Sequence, residues 1–383
     1  MNSIRELFLL DPEVIFLNHG SFGACPRTVF EIYQEWQKEL EREPVEFLGR
    51  RAQELMATAR ERLAAYLNID SGELVYFPNP TTAINMVVRS LSLEEGDEIL
   101  TTNHEYGAMD RTWRFICKQT GARYIQQAIP LPVSTKEGII EAVLSGVTPR
   151  TKILFISHIT SPTALIFPVA EICRRAREIG LLTIVDGAHA PGQIPLDLST
   201  TCADIYTGAC HKWLCAPKGS AFLYASKKIQ PLLDPLVVSW GYESEKPSGS
   251  QFIDFHEWQG TRDISAFLSV PTAIDFQQEH HWDLVREHCH ALAAEARARI
   301  DALTGLEPIC TDSSEWFAQM FSARLPSGVD VEMLKARLFE EFRVEAPLVQ
   351  WQGEKFIRVS IQGYNDEKDV DVLLDALDTL LYK

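Results

Sequence analysis

The chain has 383 residues, of which 46% are hydrophobic and 23% charged, as in an ordinary globular protein with a sizeable core. A formal net charge of −17 argues against DNA, RNA or an anionic membrane surface as a partner, because each attracts a basic protein surface. The sequence contains no apolar run of about 18 residues and no signal-peptide cleavage site, so we expect a cytoplasmic protein. Its eight cysteines lack CxxC spacing, and we expect reduced, mostly buried thiols.

Strand and helix patterns alternate along the first two thirds of the chain, which is typical of an α/β protein with a mainly parallel sheet. Short β-branched and aromatic runs predict strands over 14–18, 74–77, 98–101, 124–128, 153–157, 181–185, 204–208 and 220–224. Apolar periodicity predicts amphipathic helices over 29–40, 53–67 and 169–180. Between the first two helices, Arg50 and Arg51 are better explained as a solvated surface pair than as ligands of a substrate carboxylate.

The segment Asn79-Pro80-Thr81-Thr82 follows the second predicted strand and opens a further helix. Free backbone N–H groups at a helix start, two threonine hydroxyls and the helix dipole can together bind a phosphate. An ordinary threonine N-cap explains the same residues, and taken alone it is the better explanation. Thr81 and Thr82 are therefore phosphate ligands only if the rest of the chain indicates a phosphate-bearing cofactor.

Two residues in the middle of the chain give that indication. Asp186 lies at the carboxyl end of the strand over 181–185, where parallel α/β sheets bind ligands, and a carboxylate there can keep a ring nitrogen protonated. Lys212 lies on a loop between two strands, among apolar residues that would lower its pKa, and a neutral amine can form a Schiff base with a carbonyl. A lysine whose stem packs on Trp213 while its head reaches water explains that loop alone more simply. Together, the acid and the lysine are what a pyridoxal phosphate enzyme needs.

These motifs resemble those of fold-type-I pyridoxal phosphate enzymes of the class V aminotransferase family, closest to its isopenicillin N epimerase-like and carbon–sulfur lyase branch. The resemblance is carried by VDGAHA and GACHKWLCAPKGSAFLY, and by LNHGSFGACP, NPTTAIN, HEYGAMD, SHITSPTA, QGTRD and RVSIQGYN along nearly the whole chain. It implies a large α/β domain, with a mainly parallel sheet flanked by helices, and a small C-terminal α+β domain. The expected boundaries are an N-terminal arm over 1–20, the cofactor domain over 21–263 and the small domain over 264–383.

The resemblance implies that pyridoxal 5′-phosphate is bound by nine residues, namely Thr81, Thr82, His104, His158, Asp186, His189, His211, Lys212 and Thr261. Among these, His104 would stack on the cofactor ring. Thr261, in the QGTRD loop, would reach the partner's phosphate across the interface of a homodimer. Ala209 departs from the pattern, because relatives often carry a polar phosphate ligand at that position.

The resemblance also implies an amino-acid substrate. Asn18 and His19 lie on the N-terminal loop that approaches the active site in the family, although turn geometry alone explains these residues equally well. Arg358, on a strand without an adjacent acid, would grip the substrate α-carboxylate with both arms of its guanidinium. Lys212 would remove the α-proton, and His104 or Tyr106 could supply a second acid on the opposite face.

The C-terminal part is predicted to be rich in helix, with one long helix over 275–303 and strands over 317–323, 344–346 and 356–360. Four histidines fall on the predicted long helix, but no Cys or acid completes a metal site with them. We expect exposed histidines and no metal at His280, His281, His288 and His290.

Three reactions at the α-carbon remain open from the sequence: epimerisation, β-elimination of the cysteine desulfhydrase type, and transamination. A persulfide-forming desulfurase is disfavoured, because the stretch over 342–356 contains no cysteine. A non-catalytic binding protein of the same fold would be expected to lack Asp186 or Lys212, and both are present. A dinucleotide-dependent oxidoreductase would need GxGxxG after the first strand, which HGSFG does not match.

Overall fold

The computed structural model describes residues 4–382, in which twelve strands form three sheets. The strands are Ile15–Phe16 (β1), Leu74–Phe77 (β2), Glu98–Thr102 (β3), Arg123–Gln127 (β4), Thr151–Ser157 (β5), Leu182–Asp186 (β6), Ile205–Ala209 (β7), Ala221–Ala225 (β8), Met320–Leu325 (β9), Val344–Glu345 (β10), Leu348–Trp351 (β11) and Glu354–Ser360 (β12). The predicted strands are present within one to three residues of their expected ends.

The α-helices within residues 4–382 alternate with these strands in the first half of the chain and dominate the second half. They are His19–Phe22 (α1), Arg27–Arg42 (α2), Pro44–Glu46 (α3), Ala52–Tyr66 (α4), Pro80–Ser90 (α5), Gly107–Thr120 (α6), Lys136–Leu144 (α7), Val169–Glu178 (α8), Gln251–Glu257 (α9), Ser265–Leu268 (α10), Val270–Glu279 (α11), Trp282–Thr304 (α12), Val331–Phe342 (α13) and Glu367–Tyr382 (α14). None of these helices has the length and apolar content that a bilayer crossing needs.

The seven-stranded sheet has the order β2-β8-β7-β6-β5-β3-β4 and is parallel except for β8, which runs antiparallel to β7 and β2. Alternate residues of a strand belong to different apolar clusters: Leu154 packs in one cluster and Phe155 in the other. Helices thus cover both faces of the sheet, as a parallel sheet requires. The parallel strands place their carboxyl ends at a single edge, where the loops after β3, β5, β6 and β7 meet.

The C-terminal part contains the antiparallel sheet β11-β12-β9, packed against α12 and flanked by α13 and α14. The N-terminal segment joins this part, because β1 pairs in parallel with β10 through Ile15 and Val344. The predicted fold class, a large mainly parallel α/β sheet plus a small C-terminal α+β unit, is confirmed. The boundaries at residues 20 and 263 stay a prediction.

The single helix predicted over 275–303 is wrong. The chain breaks between α11 and α12, where His281 takes a left-handed conformation with φ of 49°. His281 and His288 are exposed as expected, whereas His280 and His290 are half-buried and hydrogen-bond to backbone carbonyls. Within residues 4–382, no group of His, Cys, Asp and Glu could hold a metal ion.

Candidate active site

A cavity of about 250 Å³ lies at the carboxyl edge of the parallel strands, beside the loop that joins β7 to β8. Asp186 and Lys212 both face it, so the two residues singled out by the sequence share one site. The cavity is lined by Ser21, Phe22, Asn79, Pro80, Thr81, Tyr106, Met109, Ser157, Ile159, Ser161, Asp186, Ala188, His189, His211 and Lys212.

Lys212 occupies the β7–β8 loop, and its half-buried side chain faces the cavity. The loop backbone is fixed by the Cys215 N–H, which donates to the Lys212 carbonyl at 3.0 Å. The N-terminal loop presses on it so closely that a Cβ at Gly23 would lie 2.0 Å from the His211 carbonyl oxygen. The pKa of Lys212 is lowered to about 7, mainly by burial and to a smaller extent by the positive charge of Arg358. The charge of Asp186 opposes this effect. A substantial fraction of the amine is therefore neutral near pH 7.

His189 connects Lys212 to Trp213, and the contacts define its tautomer. The indole N–H of Trp213 can only donate, so Nδ1 of His189 accepts this hydrogen bond at 3.2 Å. Burial lowers the pKa of His189 well below its usual value, so the ring is neutral and its single proton is on Nε2. His189 Nε2 lies 3.2 Å from the Lys212 Nζ, and its proton points at the lone pair of a neutral amine. The network thus stabilises the uncharged, nucleophilic form of the lysine.

Asp186 ends strand β6 and is buried below the cavity. Its Oδ1 accepts the Ala188 N–H at 3.0 Å, which fixes the carboxyl group at the strand end. Burial raises the pKa of Asp186 above its usual value, while the Ala188 N–H and the charge of Lys212 oppose the rise. A buried carboxyl of this kind is stabilised as an anion when a cation lies beside it, and a protonated ring nitrogen in the cavity would be such a cation.

The start of α5 contributes one of its two threonines to the cavity. Thr81 lines it, together with the N-cap residue Asn79 and His211. Thr82 instead donates both its N–H, at 2.8 Å, and its hydroxyl, at 3.0 Å, to the Asn79 side chain and faces an adjoining cleft. Thr82 is therefore the capping residue's partner, and Thr81 with the helix N-terminus is the better-placed phosphate ligand.

The loop after β3 brings Tyr106, rather than His104, to the cavity. His104 is fully buried, and its Nε2 donates to the Ile129 carbonyl while Nδ1 accepts from the Thr163 hydroxyl, both at 2.8 Å. Its ring packs on Trp351 with the ring centres 4.3 Å apart. His104 is absent from the cavity lining, whereas the side chain of Tyr106 is 48% exposed and lines it. The geometry corrects the expectation that His104 stacks on the cofactor.

The loop after β5 corrects a second expectation. His158 points away from the cavity, with Nδ1 2.8 Å from the Tyr206 hydroxyl. Its neighbours Ser157 and Ile159 line the cavity instead, because alternate residues at a strand end face opposite sides of the sheet. The same alternation could have indicated Ser157 from the sequence. Ser157 on β5 lies opposite Asp186 on β6 in the register, so both residues face the same side of the sheet.

The N-terminal loop reaches the cavity through Ser21 and Phe22, two residues beyond those predicted. Asn18 is held by Glu345, with its Nδ2 3.0 Å from Oε1. His19 is buried, and its Nε2 donates to the Lys212 carbonyl at 3.0 Å while Nδ1 accepts from Tyr364. Both predicted substrate contacts are therefore structural links behind the cavity, and His19 supports the backbone of the catalytic loop.

Arg358 on β12 is 6% exposed and adjoins the cavity through Ser21 and Ser161, which line it and accept its hydrogen bonds. One terminal nitrogen donates to the Ser161 carbonyl at 2.6 Å, and the other donates to the Ser21 hydroxyl at 3.2 Å. No carboxylate pairs with it among residues 4–382, and its Nε lacks a hydrogen-bond partner there. Burial lowers the pKa of Arg358 to about 10, so the guanidinium stays charged at neutral pH and lacks an anion.

Thr261 lies on an exposed turn between α9 and α10 and is absent from the cavity lining. No contact within residues 4–382 brings Thr261 to the site, so its role toward a partner's phosphate stays a prediction. The cysteines are free, and five of the eight are buried. None of them lines the cavity, and the β11–β12 turn at Gln352 and Gly353 carries no thiol.

Comparison with known proteins gives this site a family. The class V aminotransferase family matches residues 25–373, and isopenicillin N epimerase from Streptomyces clavuligerus is 38% identical over 98% of this chain and 97% of that protein. The chain belongs to the class V aminotransferase family. A probable chloroplastic L-cysteine desulfhydrase of Arabidopsis thaliana is 28% identical, covering 97% and 84% of the two chains. In fold, this family member resembles the solved C-DES protein with glycine covalently linked to its PLP cofactor, at TM-score 0.83 and 22% identity over 98% and 99% of the chains.

The cofactor of this class V family member is pyridoxal 5′-phosphate, and the cavity residues fit it. A lysine with a lowered pKa suits the aldehyde, and the buried carboxyl of Asp186 suits a protonated ring nitrogen. Thr81 and the N-terminus of α5 offer hydroxyl and N–H donors to the phosphate. His211 lines the same cavity, and its Nδ1–H donates to the Ser220 carbonyl at 2.8 Å. The aromatic side chain of Tyr106 and the small side chain of Ala188 leave space for a planar ring.

Proposed function

We propose that the protein inverts the α-carbon of an amino-acid substrate, as an isopenicillin N epimerase-like enzyme. The observation that carries this proposal is that two proton-carrying groups, Lys212 and Tyr106, line one cavity beside Arg358. Inversion is served by one group that removes the α-proton and another that delivers a proton to the opposite face. The 38% identity to isopenicillin N epimerase over almost the full length of both chains supports the same reaction.

Each side chain has a task that follows from its surroundings. When bound, pyridoxal phosphate supplies an electron sink that makes the α-proton of an attached amino acid acidic. Arg358, positioned by Ser21 and Ser161, grips the α-carboxylate and fixes the orientation of the α-carbon. The Lys212 amine takes the α-proton from one side, and the Tyr106 hydroxyl delivers a proton from the other. Asp186 keeps the ring nitrogen protonated.

β-Elimination by a carbon–sulfur lyase is the second candidate. The 28% identity to a probable L-cysteine desulfhydrase favours it, and this chemistry needs only a general acid near the leaving sulfur, for which Tyr106 is again in place. A persulfide-forming desulfurase is disfavoured, because no cysteine lines the cavity. Transamination, as in a class V aminotransferase, and non-catalytic cofactor binding are the remaining alternatives.

The test is to incubate the holoenzyme in D₂O separately with isopenicillin N, L-cysteine and simple L-amino acids. Epimerisation gives the inverted isomer with deuterium at the α-carbon. Pyruvate, ammonia and sulfide from L-cysteine without inversion would replace the epimerase proposal by the lyase. A keto acid whose formation needs a second amino acceptor would indicate transamination, and absence of α-deuterium exchange from every substrate would indicate binding alone.

We also propose that the enzyme is a cytoplasmic homodimer with shared active sites. Support comes from the exposed apolar side chains of Val238 (70%), Trp240 (82%) and, at the cavity mouth, Phe22 (72%), which a second copy would cover. The eight free thiols suit a reducing compartment. Light scattering should give a dimer for the wild type and a smaller species for Trp240→Asp, whereas a monomeric wild type would contradict the proposal. Dimer formation would also let Thr261 approach the partner's cofactor phosphate.

A further inference from the structure

Glu105 is a buried carboxyl directly behind the cavity that the proposed reaction does not use. It precedes Tyr106 in the loop after β3 and is 5% exposed. Its Oε1 lies 2.6 Å from the Thr102 hydroxyl oxygen, and its Oε2 lies 2.6 Å from the Ser157 hydroxyl oxygen. Ser157 lines the cavity and pairs with Asp186 in the register of β5 and β6. The carboxyls of Glu105 and Asp186 therefore lie at the same end of the site. Ser157 contacts Glu105 through its hydroxyl and lies opposite Asp186 on the neighbouring strand.

The groups that face Glu105 from the neighbouring elements are acids or neutral. Asp186 on β6 and Asp110 on α6 repel a negative charge at Glu105, and Tyr124 on β4 lies close enough to be affected by it. Glu105 forms no salt bridge with a basic side chain of residues 4–382, and its two carboxyl oxygens meet only hydroxyl groups. Burial is the main reason that the pKa of Glu105 is raised to about 8. Hydrogen bonds from the Thr102 and Ser157 hydroxyls oppose this rise, and the two acids add to it.

The hydrogen bonds define where an acid proton would lie. The Thr102 hydroxyl oxygen already accepts the His104 backbone N–H at 3.2 Å, so its own proton is directed to Oε1 of Glu105. In a neutral Glu105, the carboxylic proton lies on Oε2 and is donated to the Ser157 oxygen, 2.6 Å away. The Ser157 hydroxyl proton is consequently available to a group in the cavity. An ionised Glu105 would instead consume the Ser157 proton and place a second negative charge beside Asp186.

We propose that Glu105 is a positioning residue held as a neutral carboxylic acid, which turns the Ser157 hydroxyl toward the cavity and leaves Asp186 as the single negative charge at the cofactor's ring nitrogen. The second half of this proposal rests on the proposed function, since it takes Asp186 as the partner of that nitrogen. The first half concerns the protein alone, and it can be tested without cofactor and without knowledge of the reaction.

The experiment compares unfolding of cofactor-free wild type and Glu105→Gln from pH 5 to pH 8, because the amide mimics a neutral acid and cannot ionise. The folded wild type keeps a proton that the unfolded chain loses above its usual pKa of 4.5, so its stability falls relative to the variant as pH rises. We expect the ratio of the two unfolding constants to change by up to about tenfold per pH unit over this range. Glu340→Gln, at an exposed acid, should show a ratio that does not change with pH.

Two outcomes would overturn the proposal. If the ratio of the two unfolding constants does not change between pH 5 and pH 8, the folded protein does not retain the proton, and Glu105 is an anion that accepts both hydroxyl protons. Should the variant not fold, difference infrared spectra of the wild type decide instead: a protonated-carboxyl band at pH 7 that disappears as pH rises through about 8 supports the neutral acid, and its absence refutes it. With cofactor bound, Glu105→Gln should keep the wild-type visible spectrum and cofactor affinity at pH 7, and a shifted spectrum would refute the assignment of the single charge to Asp186.

Discussion

The two sides of the cavity differ in how completely their polar groups are satisfied. On the lysine side, formed by Asp186, His189, Lys212 and Trp213, hydrogen bonds hold each group before any ligand binds: Asp186 accepts the Ala188 N–H, and His189 contacts both Lys212 and Trp213. On the carboxylate side, formed by Ser21, Phe22, Tyr106 and Arg358, a buried guanidinium lacks an anion among residues 4–382, and the two aromatic residues are 72% and 48% exposed.

This difference indicates a division of labour. The lysine side is organised for a cofactor that stays bound, because its fixed groups need no rearrangement to meet an aldehyde and a ring nitrogen. The carboxylate side is completed by what arrives later, namely the substrate carboxylate at Arg358 and, in the proposed dimer, a second chain over Phe22. Substitutions on the two sides should therefore fail in different ways.

The largest effect is expected from Lys212→Ala on the lysine side. Removing the Lys212 amine from the cavity should abolish covalent capture of the cofactor by borohydride and lower α-proton exchange by about 10⁴-fold, because the base is lost. Mass spectrometry of the reduced protein and deuterium exchange check both parts. Lys228→Ala, at an exposed lysine, is the control and should behave as the wild type. Cofactor that remains covalently fixed in Lys212→Ala would refute the assignment.

On the carboxylate side, Tyr106→Phe should separate proton removal from inversion. The hydroxyl is lost while the ring stays, so we expect inversion to slow by about 10²-fold or more, whereas α-proton exchange with retained configuration continues at Lys212. His104→Gln is the matched variant, and it should leave the ratio of inversion to exchange unchanged because His104 does not line the cavity. An altered ratio in His104→Gln, but not in Tyr106→Phe, would reverse the roles given to these two residues.

Arg358→Lys should weaken substrate binding and leave the cofactor in place. An ammonium cannot reproduce a two-armed grip on a carboxylate, so we expect KM to rise by about tenfold to a hundredfold with a smaller change in kcat. The visible spectrum without substrate should match that of the wild type. Arg324→Lys on neighbouring β9 removes an arginine that pairs with Glu354 outside the cavity, and its KM should not change. Equal KM values for both variants would exclude Arg358 as the carboxylate ligand.

The two sides also differ in how well the sequence predicts them. Asp186, His189, His211 and Lys212 follow strands or short loops within one motif each, and all four line the cavity. Their chemistry is encoded locally, since a strand end and the residue types beside it are enough to place a ligand.

The carboxylate side depends on contacts between distant parts of the chain. His104 is withdrawn from the cavity by Ile129 and Thr163, and His19 by Tyr364, none of which is near in sequence. Ser21 contacts Arg358, which is 337 positions away in the sequence. Loop side chains in such places are decided by tertiary hydrogen bonds, which a single sequence read for local patterns does not reveal.

The smallest expected effect is a shift in pH dependence, and it tests whether the lysine side is fixed in advance. Burial and Arg358 lower the pKa of Lys212 to about 7, from the usual 10.5. The neutral amine is the form that attacks an aldehyde, so the rate of pyridoxal phosphate capture by cofactor-free protein should rise from pH 5 and level off above a midpoint of about 7. Stopped-flow absorbance measures this rate.

His189→Gln sharpens the same measurement, because it removes the imidazole whose Nε2–H faces the lysine lone pair. The neutral amine then loses a stabilising donor, so the midpoint of the capture rate should move upward in pH while burial keeps it below 10.5. A wild-type midpoint near 10.5 would show that the amine is hydrated and charged before the cofactor arrives. In that case the lysine side would be completed by its ligand in the same way as the carboxylate side, and the distinction between them would disappear.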